Sequence, residues 1–268
     1  MDRTSLPPMS RGVYADGRTY ELPANWTPAE PAVLEVATAQ ALAALGAGAG
    51  EPDKVRRSLV KYFDPDGKYA GALFSTIGPS QSSADDITAA DLLAVTTLSM
   101  TLDPRQIRQL LDPSSKRTQV LRALRQIDTS IPVQDLGSGG LDPRPMLSAI
   151  SDLYRELRAT PKPSSTRWVF ASKLAARKRP NLLPVRDNVV CKFLAGERNL
   201  SHTTVGSHDI DLQIFGYLMS HPRVRDALGH WWSELHAEHG SVVDDVTPLR
   251  LLDVALWNAG IASGYAKV

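Results

Sequence analysis

The sequence predicts a mainly α fold, a multi-helix bundle, and three observations carry that expectation. Apolar residues recur at helical spacing in one segment after another, while alternating runs of the strand type are few. Helix start and stop signals bracket those segments: Thr88 with Asp91 three residues on, Thr247 followed by Pro248, and Gly260 as a stop. Hydrophobic residues make up 43% of the 268, enough for a real core. Nine or ten helices are expected.

In chain order, residues 1–27 predict an extended arm, because Pro7, Pro8, Gly12, Gly17 and Pro23 break any helix. Residues 28–45, rich in alanine and leucine, predict a helix, and GAGAGEPD after it reads as a connector. Residues 1–50 thus form an arm, helix and linker ahead of a helical domain over 51–268. DKVRRSLVKYF puts Val55, Leu59 and Tyr62 on one helix face, and FDPDGKYAGALF carries turn chemistry at Pro65-Asp66-Gly67. Thr88 caps ITAADLLAVTTLSM. DPRQIRQLLD and SSKRTQVLRALRQI are amphipathic, QDLGSGGLDPRP is a link, and MLSAISDLYRELRAT aligns Leu147, Ile150, Tyr154 and Leu157. Beyond residue 208, two helices divided near Pro222 precede TPLRLLDVALWNAG.

Composition excludes several classes. One cysteine, Cys191, rules out a disulfide framework or a cysteine-held iron–sulfur cluster within the chain and suits a reducing compartment; in its apolar run it is expected to be buried and inert. No apolar run approaches the ~20 residues of a membrane span, and the first residues lack a secretory apolar core, so a soluble cytoplasmic protein is expected. His230, His236 and His239 lie near Glu238 without an HExxH pattern or cysteine ligands, so no metal and no cofactor is expected. GSGG at 137–140 follows no strand and reads as a linker, and a Gly-x-Ser-x-Gly motif is absent.

Charge is the most informative feature. The net value is +1, yet residues 162–192 hold Lys162, Arg167, Lys173, Arg177, Lys178, Arg179, Arg186 and Lys192 against Asp187 alone. A concentrated positive field attracts a polyanion even on a nearly neutral chain. DNA is the expected partner, with Lys173, Arg177, Lys178, Arg179, Arg186 and Lys192 meeting phosphates and Trp168 acting as a wedge or stacking platform. Each feature also has a plain structural reading. Asp187 is well placed to cap the helix at Asn188, ARKRP reads equally as a solvated helix end, and Trp168 as a core aromatic.

The stretch ASKLAARKRPNLLPVRDNVVCKFL reads as helix, short turn, aspartate, helix. Over 164–195 it resembles the core of the helix-hairpin-helix DNA glycosylases, the group that includes endonuclease III and the adenine glycosylases. Asp187 stands sixteen residues after Ala171, Pro184 stands three before Asp187, and Val190, Phe193 and Leu194 fall where that family's next helix is apolar. The resemblance implies Asp187 as catalytic carboxylate, Ser165, Thr166 and Arg167 on the hairpin that meets DNA, and monofunctional hydrolysis of an N-glycosidic bond. Such hydrolysis builds oxocarbenium character on the sugar, which a carboxylate stabilises, and needs the base flipped out of its stack. Three features differ: Ser165-Thr166-Arg167 replaces the hairpin glycines, Val169 stands where bifunctional members carry a lysine, so no lyase activity is implied, and the four-cysteine cluster is missing. The segments YFDPDGKYAGALF, DDITAADLLAVTTLSM and KLAARKRPNLLPVRDNVV together resemble a bacterial domain family of unknown function. The alternative to catalysis is a helical DNA-binding or protein-interaction module.

Overall fold

A computed structural model describes residues 10–48, 51–78, 84–159 and 167–266. Among them are eleven α-helices and one two-stranded antiparallel sheet, so the fold is mainly α. Strands β1 (Arg11–Val13) and β2 (Thr19–Glu21) pair with Gly12 opposite Tyr20. The helices are α1 (Pro31–Ala44), α2 (Pro52–Phe63), α3 (Ala89–Thr97), α4 (Pro104–Leu111), α5 (Ser115–Arg125), α6 (Arg144–Arg158), α7 (Arg167–Lys178), α8 (Asn188–Ala195), α9 (His208–Ser220), α10 (Pro222–His239) and α11 (Pro248–Ala262).

Local chemistry explains where the helices begin. Pro31, Pro52, Pro104, Pro222 and Pro248 each occupy a first helical position, where the missing N–H costs nothing. Thr88 and Asp91 form a reciprocal capping box on α3, and Asp103, Ser114, Asp187 and Thr247 accept first-turn amides of α4, α5, α8 and α11. Gly196, at φ +67°, closes α8 in the left-handed region.

Residues 10–26 are extended yet belong to the common core. Tyr14, Tyr20, Leu22 and Trp26 are buried in it, the Tyr14 hydroxyl donates to the carbonyls of Val133 (3.2 Å) and Leu136 (3.1 Å), and Trp26 Nε1 donates to Ser151 Oγ (2.9 Å). At the centre, α7 packs on α6 and α3, and α8 packs on α11 and α1. Every α7 residue from Val169 to Lys178 is buried, the mark of an interior helix rather than an amphipathic one.

Gly260 differs from its expected role as a helix stop. It lies inside α11, and a Cβ there would come within 2.6 Å of Val189 Cγ1. Its use is to let α8 and α11 approach closely.

Candidate active cleft

The cationic stretch divides into two groups with different fates. Arg177 donates from Nη1 to the carbonyls of Phe74 and Ser75 (both 2.7 Å), from Nη2 to that of Ile77, and from Nε to Asp91 Oδ1 (3.4 Å). Lys178 Nζ reaches Asp91 Oδ2 at 2.9 Å. Arg179, 1% exposed, bonds the carbonyls of Ile127 (2.7 Å), Ala84 (2.7 Å) and Leu124 (2.6 Å) and the Asp85 carboxylate (2.8 Å). Arg186 donates from Nε to Asp211 Oδ2 and from Nη2 to the Gly206 carbonyl, both 2.6 Å, beneath the rings of Tyr154 and Trp168.

These side chains turn inward, so the expected phosphate contacts of Lys173, Arg177, Lys178, Arg179 and Arg186 have no exposed surface behind them. The physical reason is backbone accounting. The segments 74–78, 84–86 and 124–127 present carbonyls, most of them without a backbone donor, and the guanidinium fork meets several at once. Of the remaining expected contacts, Arg167, Trp168 and Lys192 are half-buried, and Ser165 and Thr166 lie outside the described residues. Cys191 is buried, its thiol pushed up by burial and donating to Asp211 Oδ2 at 3.6 Å.

Asp187 belongs to the other group. It lines a cleft of about 480 Å³ between α2, the 68–71 turn, residues 97–100, α7, residues 185–190 and α11. Its Oδ1 accepts the amides of Val189 (2.9 Å) and Val190 (3.0 Å), which fixes the carboxylate on the positive end of α8. Its Oδ2 takes no hydrogen bond from any described residue.

Around it stand three charged side chains. Lys173, 6% exposed, donates from Nζ to the Leu98 carbonyl (2.7 Å); burial pulls its pKa down and Asp187 partly opposes that. Asp253 is held by Arg250 Nη1 (2.5 Å), yet burial, together with the charge of Asp187, pushes its carboxyl up to about 7. Arg250 Nη2 also donates to the Tyr62 hydroxyl (2.7 Å) and the Gly71 carbonyl (3.2 Å). Gly71 has no room for a side chain, since a Cβ would fall 2.3 Å from that hydroxyl.

The apolar wall is aromatic. Tyr62 and Tyr69 stack with centroids 5.6 Å apart at 21°, and Trp257 meets both edge-on at 6.1 and 6.3 Å. Ser99, on the opposite segment, adopts φ +60°, an unfavourable backbone for a residue with a Cβ. Such strain, roughly 1–2 kcal/mol, tends to collect at functional sites. The result is a cleft with an aromatic wall and the carboxylates of Asp187 and Asp253 in its lining.

Sequence reasoning found Asp187 but not Asp253, Arg250, Tyr69, Trp257 or Ser99. Arg250 and Asp253 sit three apart in the otherwise apolar run LRLLDVALW, a charged pair in a core helix, and that was the available signal. Among the described residues no helix is long and apolar enough to cross a membrane.

No curated protein and no solved structure matches the chain. Residues 55–260 match the family of unknown function DUF6308, and the chain belongs to that family. Every cleft residue, from Tyr62 to Trp257, falls inside the matched region.

Proposed function

We propose that this member of the family is an N-glycosyl hydrolase that takes a nucleobase, carried on DNA, into the aromatic slot and uses Asp187 as the carboxylate. The observation that supports the reading is the division of labour within Asp187: Oδ1 is anchored on the α8 amides while Oδ2 is unoccupied in the cleft. An anchored anion beside a sugar C1′ lowers the cost of oxocarbenium charge with little reorganisation. The C1′–N bond breaks with its electron pair on the base, and water adds to C1′ with its proton drawn off toward Asp187. Asp253, whose carboxyl is held near 7, supplies a proton to the departing base below that pH. Contact with a strand falls to Lys68 at the cleft and to Arg167, Trp168 and Lys192, rather than to the buried cations.

The test is base release from duplexes carrying uracil, alkylated or oxidised bases. Asp187→Asn keeps a good helix cap and removes the charge, so release should fall by about 10²–10⁴-fold with the melting temperature nearly unchanged. Release that survives this substitution sinks the assignment.

A further inference from the structure

We infer that a second pocket, which shares Asn188 with the aromatic cleft, is a phosphate subsite, so that the ligand of the two together is a nucleotide with its base in the slot and its phosphate beside Arg158. The pocket, about 580 Å³, is lined by Arg158 at the end of α6, Trp168, Asn188, Thr203, Thr204 and the start of α9.

Unmet positive charge carries the inference. Arg158 is half-buried, makes no ion pair among the described residues, and its Nε is closed off with no hydrogen-bond acceptor. A second guanidinium, Arg186, is 1% exposed, paired with Asp211 and set against the Tyr154 ring, so it adds positive charge nearby without lining the pocket. Burial, and after it repulsion from Arg186, lowers the pKa of Arg158. The acid that acts on both, Asp211, is already committed: Oδ2 to Arg186 and Oδ1 to the Gly206 amide (2.8 Å). Buried donors without acceptors are rare in native proteins, and a buried cation without an anion is costly. For Arg158, which lines the pocket, the fitting group is a compact anion rich in acceptor oxygens.

The surroundings fit phosphate. The Thr203 hydroxyl accepts from the Val205 amide at 3.2 Å, which leaves its proton to give, and Thr204 is exposed beside it. Asp209 also lines the pocket; its oxygens accept from the Ser207 hydroxyl and the Thr27 amide, and its charge opposes the anion that Arg158 attracts. Asn188, the first residue of α8, follows Asp187 directly and lines both cavities, which places them side by side. The nucleotide part of this inference rests on the reading of the cleft as a base site; the phosphate part stands on its own.

The test is equilibrium binding to the full chain of inorganic phosphate, of the four 2′-deoxynucleosides, of their 5′-monophosphates, and of a short single-stranded oligonucleotide. At least one monophosphate should bind about tenfold or more tighter than its nucleoside. Arg158→Ala should erase that advantage and leave nucleoside binding intact, Arg158→Lys should restore part of it, and inorganic phosphate should compete and raise the melting temperature of the wild type but not of Arg158→Ala. Tighter binding of the oligonucleotide would identify a strand phosphate as the source, and equal binding a free nucleotide. Phosphate that binds through Arg158 while no nucleoside binds would sink the base site and keep the anion site. Phosphate that fails to bind, or binds equally well to Arg158→Ala, would overturn the inference. Should Arg158→Ala not fold, the wild-type phosphate titration and Arg158→Lys decide it.

Discussion

Two ends of one short stretch, residues 173–187, have opposite chemical states. Around Arg177, Lys178 and Arg179, each side chain is held by Asp91, Asp85 or turn carbonyls. Around Asp187 an anion keeps one oxygen without a partner, a lysine is depressed, and a second carboxyl is held near 7. The first end is scaffold, and the second is where we place the site. The difference teaches that charge by itself does not mark function in this chain; what marks it is charge the fold leaves unsatisfied.

The sharpest way to break the comparison is Arg179→Ala. If that arginine is scaffold, its removal strands the turn carbonyls and should cost about 3–5 kcal/mol in chemical denaturation. A change under ~1 kcal/mol would mean that the network contributes nothing and the cation is available for another role. Next comes Gly260→Ala, which forces α8 and α11 apart at Val189 and should cost about 1–3 kcal/mol. Stability unaffected by that methyl would show that α8 and α11 are not tightly packed at Gly260.

A pH titration sharpens the site end. The folded pKa of Asp253, about 7, lies above its ordinary value of 3.8, so the native state holds a proton that the unfolded chain has lost between those values. The contribution is fully present below about pH 4 and disappears as pH rises through about 7. The stability of the wild type relative to Asp253→Asn should therefore decline over that window, in urea melts taken at pH steps. A flat difference would place the Asp253 pKa near its ordinary value. The smallest effect is expected at an exposed pair: Arg108→Ala, which loses the surface contact to Asp112, should change stability by about 0.5 kcal/mol or less.

How much of this was legible in the sequence follows from the range of each interaction. The capping residues Thr88, Asp103, Ser114, Asp187 and Thr247 act on amides two or three positions ahead, so local spacing reveals them. The turn at Pro180, ahead of Asp187, was legible for the same reason. The fate of Arg177 was not, because the carbonyls it binds lie about a hundred residues earlier, and composition alone reads ARKRP as a surface patch. The cleft walls were hidden likewise: Tyr69, Ser99 and Trp257 come from separate elements that meet only in the fold. Gly260 misled because its small volume, rather than a left-handed backbone, is what the structure uses. The resemblance to the glycosylases rested on the Asp187 segment, and the resemblance to a family of unknown function, over a longer span, is the one the comparison shows.

The central claim is that the free oxygen of Asp187 does chemistry that its capped oxygen does not. The most direct measurement pairs base release with thermal melting for wild type and Asp187→Asn. Release reduced at least about a hundredfold at an unchanged melting temperature is the predicted result, since asparagine caps a helix as well as aspartate does. Loss of stability with release per folded molecule intact would reduce Asp187 to a helix cap and contradict the account.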